Sequence, residues 1–221
     1  MAGLLIVAAV FVALIPSLSR ADDTTSQRTG PQAYVGLYGG IGFPDAFKDI
    51  QGQGARLSDL DLNPGLMVGG KMGVFGPRND NFLRWFGVEL DVGYLKTAVR
   101  DQPATVTVPG LTVSGRVVET DVNIFSGALH VIGKFPDGPL QPYVGVGPAV
   151  VHAWISEDDF SSAATNIALS ALGGVRARIS DAVGAFVEYK YLRAELDFKD
   201  DFDAQGLAQV HAVVGGVQLT F

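Results

Sequence analysis

Apolar and polar residues alternate one by one through most of this chain, and the alternation breaks at intervals on Pro, Gly, Asn and Asp. A period of two belongs to a strand with one apolar face. Within Leu83–Thr97, Phe86, Val88, Leu90, Val92 and Tyr94 share one parity, and Gly87, Glu89, Asp91 and Gly93 the other. Gly65–Phe75 sets Leu66, Val68, Met72 and Val74 against Gly69, Lys71 and Gly73. Thr165–Ile179 sets Leu169, Ala171, Val175, Ala177 and Ile179 against Gly174, Arg176 and Arg178. Ala182–Phe198 sets Val183, Ala185, Val187, Tyr189 and Tyr191 against Gly184, Glu188 and Lys190, and its parity changes near Leu192. Tyr34–Phe43, Glu119–Phe135, Gln141–Ile155 and a last segment ending at Phe221 complete about eight predicted strands. Val122–Phe125 and Tyr143–Val146 can be read in either register, so the first, fourth and fifth strands stay open.

Connections alternate in length. The long ones are Pro44–Asn63, the stretch reaching Val117, the acidic Ser156–Ser162 and Lys199–Gln205. The short ones are Gly76–Asn81, Pro136–Pro139 and Ser180-Asp181, built from turn-forming residues. Charges keep to one parity and lipid-compatible side chains to the other, which is a polar interior inside an apolar exterior. The predicted fold is therefore all-β, an antiparallel up-and-down transmembrane β-barrel of about eight strands. The change near Leu192 marks either a bulge or the membrane boundary.

The interior set is Lys71, Glu89, Asp91, Arg176, Arg178, Glu188 and Lys190, four cations against three anions. A barrel of eight strands is just wide enough for side chains to fill. A salt-bridged plug is expected over a selectivity filter, with Arg176 paired to Glu188 across adjoining strands. Interfacial aromatics are expected at Trp85, Phe75, Phe82, Phe135, Tyr143 and Phe221 on the short-turn side, and at Phe43, Tyr94, Trp154 and Tyr191 on the long-loop side.

Composition narrows the rest. With no cysteine there is no disulfide framework and no thiolate chemistry. A net charge of −7 argues against nucleic acid as a partner. Leu4–Ile15 is the long apolar run, followed by Pro16 and Ser19-Arg20-Ala21. That is the outline of a secretory signal peptide, although no Lys or Arg precedes Leu4. The expected division is 1–21 signal peptide, 22–32 polar periplasmic lead and 33–221 barrel.

The ending Val217-Gln218-Leu219-Thr220-Phe221 resembles the C-terminal assembly signal of bacterial outer-membrane proteins, carried by Val217, Leu219 and Phe221. Tyr34–Gly40, Gly87–Tyr94, Pro142–Gly147 and Val187–Tyr191 resemble the porin-family outer membrane protein β-barrel domain, kin to the OmpA/OmpX-type small barrels. The resemblance implies the outer membrane of a Gram-negative bacterium, with membrane lipid, lipopolysaccharide and the assembly machinery as partners, and a monomeric state. Members of the group serve as adhesins, resistance factors, structural anchors or narrow channels.

Chemistry-bearing patterns are sparse. His130, His152 and His211 stand alone, without HExxH or an i,i+4 pair. His211 shares the lipid-facing parity, where lipid A deacylases carry a Ser-His arrangement, but Gln209 and Val213 flank it and no serine stands near it in the last strand. Asp59-Leu60-Asp61-Leu62-Asn63 begins like a calcium loop, yet Pro64 and Gly70 occupy the positions that need Gly and Glu. Gly145-Val146-Gly147 lacks the third glycine of a dinucleotide fingerprint, with Val150 in its place. The acidic runs Glu157-Asp158-Asp159 and Glu195–Asp203 read as solvated loop faces or as sites for divalent cations bridging lipopolysaccharide. The expected role is a non-enzymatic barrel without cofactor or metal, acting as a structural, surface-interaction or narrow-channel protein. The alternatives are a lipid-modifying enzyme and a secreted soluble ligand-binding barrel, which needs the opposite facial pattern.

Overall fold

In chain order, the strands are β1 (Gln32–Pro44), β2 (Lys48–Gly52), β3 (Ala55–Leu57), β4 (Gly65–Phe75), β5 (Phe86–Val99) and β6 (Gln102–Val108). They continue with β7 (Leu111–Val117), β8 (Thr120–Lys134), β9 (Leu140–Glu157), β10 (Phe160–Arg178), β11 (Val183–Phe198) and β12 (Ala204–Thr220). The computed structural model describes residues 30–45, 48–52, 55–57, 61–77, 82–108, 111–117, 119–135, 137–157, 160–198 and 204–221. The expected signal peptide, most of the polar lead and parts of the acidic runs lie outside the described residues.

The wall is an antiparallel series in the order β1-β4-β5-β8-β9-β10-β11-β12, and β12 pairs back with β1 to close it. Closure removes the two free edges an open sheet of this size would expose. All eight expected segments are wall strands. Two boundaries differ: Phe82–Trp85 is a 3-10 turn before β5, and β9 and β10 run on as one hairpin through much of the expected acidic loop, with Glu157 opposite Phe160. The connection 44–63 and the one reaching Val117 hold strands of their own. β2, β3, β6 and β7 extend the sheet from the upper end of β12 in the order β12-β2-β3-β6-β7. The alternating Thr and Val of Thr105–Val108 and Leu111–Val113 favour extended backbone, because β-branched side chains fit a pleated surface.

Register resolves what the sequence left open. Tyr34, Gly36 and Tyr38 of β1, Val122, Ile124, Ala128, His130 and Ile132 of β8, and Gln141, Gly145 and Ala149 of β9 point inward and are buried. Pairing of β11 with β12 runs without a shift from Val183 to Phe198, so there is no bulge at Leu192. Arg193 beside it is exposed on the outward parity, which marks the boundary of the apolar belt. That belt is continuous around the wall: Leu37 is 70% exposed, Ile167 80% and Val187 61%. Such a surface is too apolar for water and suits hydrocarbon.

Two glycines make room for inward tyrosines. A Cβ at Gly73 would stand 2.6 Å from the Tyr34 ring, and one at Gly69 would collide with Tyr38. At the β8–β9 turn Gly138 takes a φ of 87°, a left-handed conformation that glycine adopts without steric cost.

Candidate functional site

Five side chains meet in the middle of the lumen: Lys71 of β4, Glu89 and Asp91 two positions apart on β5, and Glu188 and Lys190 two positions apart on β11. They form an alternating chain of charges. Lys71 lies 3.5 Å from Glu89 and 2.6 Å from Glu188, and Lys190 lies 3.1 Å from Glu188 and 2.5 Å from Asp91. In the closed order β5 and β11 stand on opposite walls, so the Asp91–Lys190 pair spans the lumen.

Each carboxylate also accepts a tyrosine hydroxyl. Tyr34 donates to Glu89 at 2.6 Å, Tyr38 to Asp91 at 2.9 Å and Tyr143 to Glu188 at 2.7 Å. The ammonium groups lie over aromatic faces as well, Lys71 4.0 Å from the Phe186 ring centroid and Lys190 4.4 Å from that of Tyr38. All five charged residues are buried. Charges so deeply desolvated persist only when paired and hydrogen-bonded, and here the carboxylates have both.

Four sequence expectations need correction. Arg176 is buried, but it stands opposite Phe186 in the β10–β11 register and donates to Thr220 Oγ1 at 2.7 Å. Glu188 stands opposite Gly174, and its charge partners are Lys71 and Lys190. Arg178 has the inward parity but sits at the last position of β10, exposed at the short-turn rim and outside the charge chain. Tyr143 is not interfacial: its hydroxyl lies inside on Glu188. Phe75 likewise points inward, stacked on Tyr34 at 5.3 Å and covered by Lys134 at 3.7 Å. Trp85, Tyr94, Trp154 and Tyr191 lie partly exposed, Trp85 against Phe135 and Tyr94 against Trp154. Val217, Leu219 and Phe221 are exposed on the outer face of the last strand and its end.

Sequence reasoning missed the tyrosines that complete the network, and it missed His130. That residue's Nε2 is 2.8 Å from Ser170 Oγ, and its Nδ1 is 3.9 Å from Glu89 Oε1. Serine, histidine and carboxylate in this order have the outline of a nucleophile, a base and an orienting group. All three are buried.

The space around them decides what they can do. A cavity of ≈ 20 Å³ on the short-turn side is lined by Tyr34, Lys71, Glu89 and Arg176 among others. A second, of ≈ 30 Å³, touches Asp91, Ser170 and Lys190 from the long-connection side. Volumes of that size hold one or two waters, not an ester or a sugar.

On the outer wall His211 has a different setting. The Tyr189 hydroxyl lies 2.5 Å from its Nδ1, Asp45 lies 3.8 Å from its Nε2, and the Tyr191 ring packs at 5.1 Å. The hydroxyl it binds is a phenol, not a serine.

No curated protein matches this chain. Among solved structures it is similar to Neisserial surface protein A, at 16% identity over 86% of this chain and 97% of that one, with a TM-score of 0.49. It is also similar to Ail, the attachment invasion locus protein of Yersinia pestis, at 15% identity over 87% and 99%, TM-score 0.45. A third is the outer membrane protease OmpT from Escherichia coli, at 8% identity over 90% and 99%, TM-score 0.45. The model of the outer membrane protein beta-barrel domain matches residues 5–221, and the chain belongs to that family.

Proposed function

We propose that this protein is a non-enzymatic integral barrel of a Gram-negative outer membrane, with a closed lumen and its interacting surface at the long-connection rim. One observation carries the reading: the chain Glu89–Lys71–Glu188–Lys190–Asp91 crosses from wall to wall, with cavities of only ≈ 20 and ≈ 30 Å³ beside it. A solute would have to break desolvated ion pairs to pass. What remains for function is a surface, and β2, β3, β6 and β7 build the largest addition to the wall on the long-connection side. Export through residues 1–21, assembly through Val217, Leu219 and Phe221, and contact with lipopolysaccharide belong to the same reading.

The lipid-modifying alternative asks for a serine beside an outward histidine, and the described Ser-His pair instead faces inward. Purified, refolded protein in planar bilayers tests the proposal. The expected record is free of stepwise channel openings; stable openings in the unmodified protein would return the reading to a narrow channel.

A further inference from the structure

The sheet that leaves the wall at β12 ends in β7, and no described strand lies beyond it. The inner edge of β7 is fully used: it pairs with β6 residue for residue, from Gln102 opposite Val117 to Val108 opposite Leu111, without a bulge. Its outer edge carries main-chain N–H and C=O groups that no described strand answers. Natural edge strands are guarded by lysine, proline, a bulge or extreme shortness. The seven residues of β7, Leu111-Thr112-Val113-Ser114-Gly115-Arg116-Val117, contain neither lysine nor proline. Their one charge, Arg116, is already engaged: its Nε and Nη2 donate to the Asp101 carboxylate at 2.6 and 3.0 Å. Thr112 to Arg116 are all exposed.

Such an edge accepts another strand through its main chain, and the flanking side chains choose which. β7 presents small neutral side chains and a cation that is already paired, so it holds out no charge to a foreign peptide. A second β7 matches it. In an antiparallel pair turned about a two-fold axis at Ser114, Thr112 faces Arg116 and Val113 faces Gly115. Val113 is 54% exposed, and a Cβ at Gly115 would meet nothing within 4 Å. The valine of each copy thus covers the open space over the glycine of the other. The two Arg116 residues stand about 14 Å apart along the ladder, four residues of extended chain, beyond the reach of strong repulsion in physiological salt.

We propose that β7 is a homotypic docking edge, through which two copies of this barrel pair antiparallel over Leu111–Val117. This departs from the monomeric state that the resemblance implies. It names the partner of the rim surface described above and rests on that part of the reading.

The chain has no cysteine, so single-cysteine variants report the register directly. Under mild oxidation of the refolded barrel in detergent, Ser114→Cys should give a disulfide-linked dimer, because residues directly opposite lie within the Cα spacing a disulfide needs. Thr112→Cys alone should not, since its copy lies about 14 Å away. An equimolar mixture of Thr112→Cys and Arg116→Cys should cross-link. Analytical ultracentrifugation reads the same equilibrium without oxidation. The unmodified barrel should show a concentration-dependent dimer, and Ser114→Lys, which sets two ammonium groups face to face, should raise its dissociation constant about fivefold. Mixing Ser114→Lys with Ser114→Glu should restore the dimer. Heat-modifiable migration on gels reports that each variant is folded. An unmodified barrel that stays monomeric leaves this edge to a strand of another protein and overturns the pairing. Cross-linking of Thr112→Cys as readily as Ser114→Cys would also overturn it. Stepwise openings in planar bilayers would overturn the closed lumen and not the pairing.

Discussion

The two ends of the lumen are filled by different physics. Toward the short turns and the middle, Tyr34, Lys71, Glu89, Asp91, Glu188 and Lys190 lock together through directional contacts. Toward the long connections the filling is apolar: Leu62, Leu95, Val99, Val122, Ile124, Val151, Ala194 and Val210 form one cluster. Leu62 is not a wall residue. It arrives from the β3–β4 connection, which Asn63 pins to β5 by donating its N–H to the Ala98 carbonyl at 2.9 Å and accepting from the Thr97 hydroxyl. A charged network specifies one arrangement, since a shifted partner leaves a bare charge. The apolar cluster tolerates rearrangement more readily, because dispersion and burial are non-directional. The lumen is thus filled in two ways, by directional ion pairs and by non-directional apolar packing.

The largest effect should come from the centre of the charged half. Glu188→Ala removes the carboxylate that bridges Lys71 and Lys190, leaving Lys71 only Glu89 at 3.5 Å and Lys190 only Asp91. Breaking a buried pair costs about 3–5 kcal/mol, read here as the shift of the urea unfolding midpoint of the barrel in lipid. Glu188→Gln should lose less, because its amide oxygen still accepts from Tyr143. A Glu188→Gln variant as stable as the unmodified protein would mean that packing and the Tyr143 hydrogen bond, not charge, hold this half together.

The matching change in the apolar half is Leu62→Ala, expected to cost about 2 kcal/mol in the same assay, near the lower bound for core leucines because the residue sits on a connection. Planar-bilayer recordings sharpen the contrast. With the charge chain intact, Leu62→Ala should remain silent, whereas Glu188→Ala should admit brief openings. The reverse pattern would move the seal from the ion pairs to the apolar cap.

The same division explains what the sequence made legible. A charge on an otherwise apolar strand announces its parity, so Lys71, Glu89, Asp91, Arg176, Glu188 and Lys190 could be assigned to the lumen directly. Tyrosine carries no such label. Its ring suits the membrane interface and its hydroxyl suits a buried carboxylate, so Tyr143 was open to both readings and Tyr34 and Tyr38 carried no mark of their role. Only register, which brings β9 and β11 around the wall, puts the Tyr143 hydroxyl on Glu188. Arg178 had the right parity but the wrong depth, because alternation gives a face and not a height along the barrel axis. Arg193 was hidden by a supposed change of parity at Leu192, although the facing pattern continues through it. Of the strands inside the long connections, β2 and β3 are too short and polar for a period of two to establish itself, whereas the Thr-Val alternation of β6 and β7 was legible but lay inside a stretch read as a loop.

The smallest effect should lie where the two halves meet, at Ser170. Its hydroxyl is 2.8 Å from His130 Nε2, and His130 Nδ1 faces Glu89 across 3.9 Å. Ser170→Ala removes one hydrogen bond between neutral groups and leaves a cavity-lining atom that a water can serve, so the loss should be about 1 kcal/mol. A fluorophosphonate that labels activated serines gives the sharper test. Nucleophilic attack needs room for an acyl or phosphoryl group beside the serine oxygen, and the adjoining cavity is ≈ 30 Å³. The folded protein should therefore remain unlabelled over hours at neutral pH, and Ser170→Ala should not differ from it. Stoichiometric labelling that disappears in Ser170→Ala would make this trio an active site, and it would require the apolar cap over Leu62 to open far enough to admit a substrate.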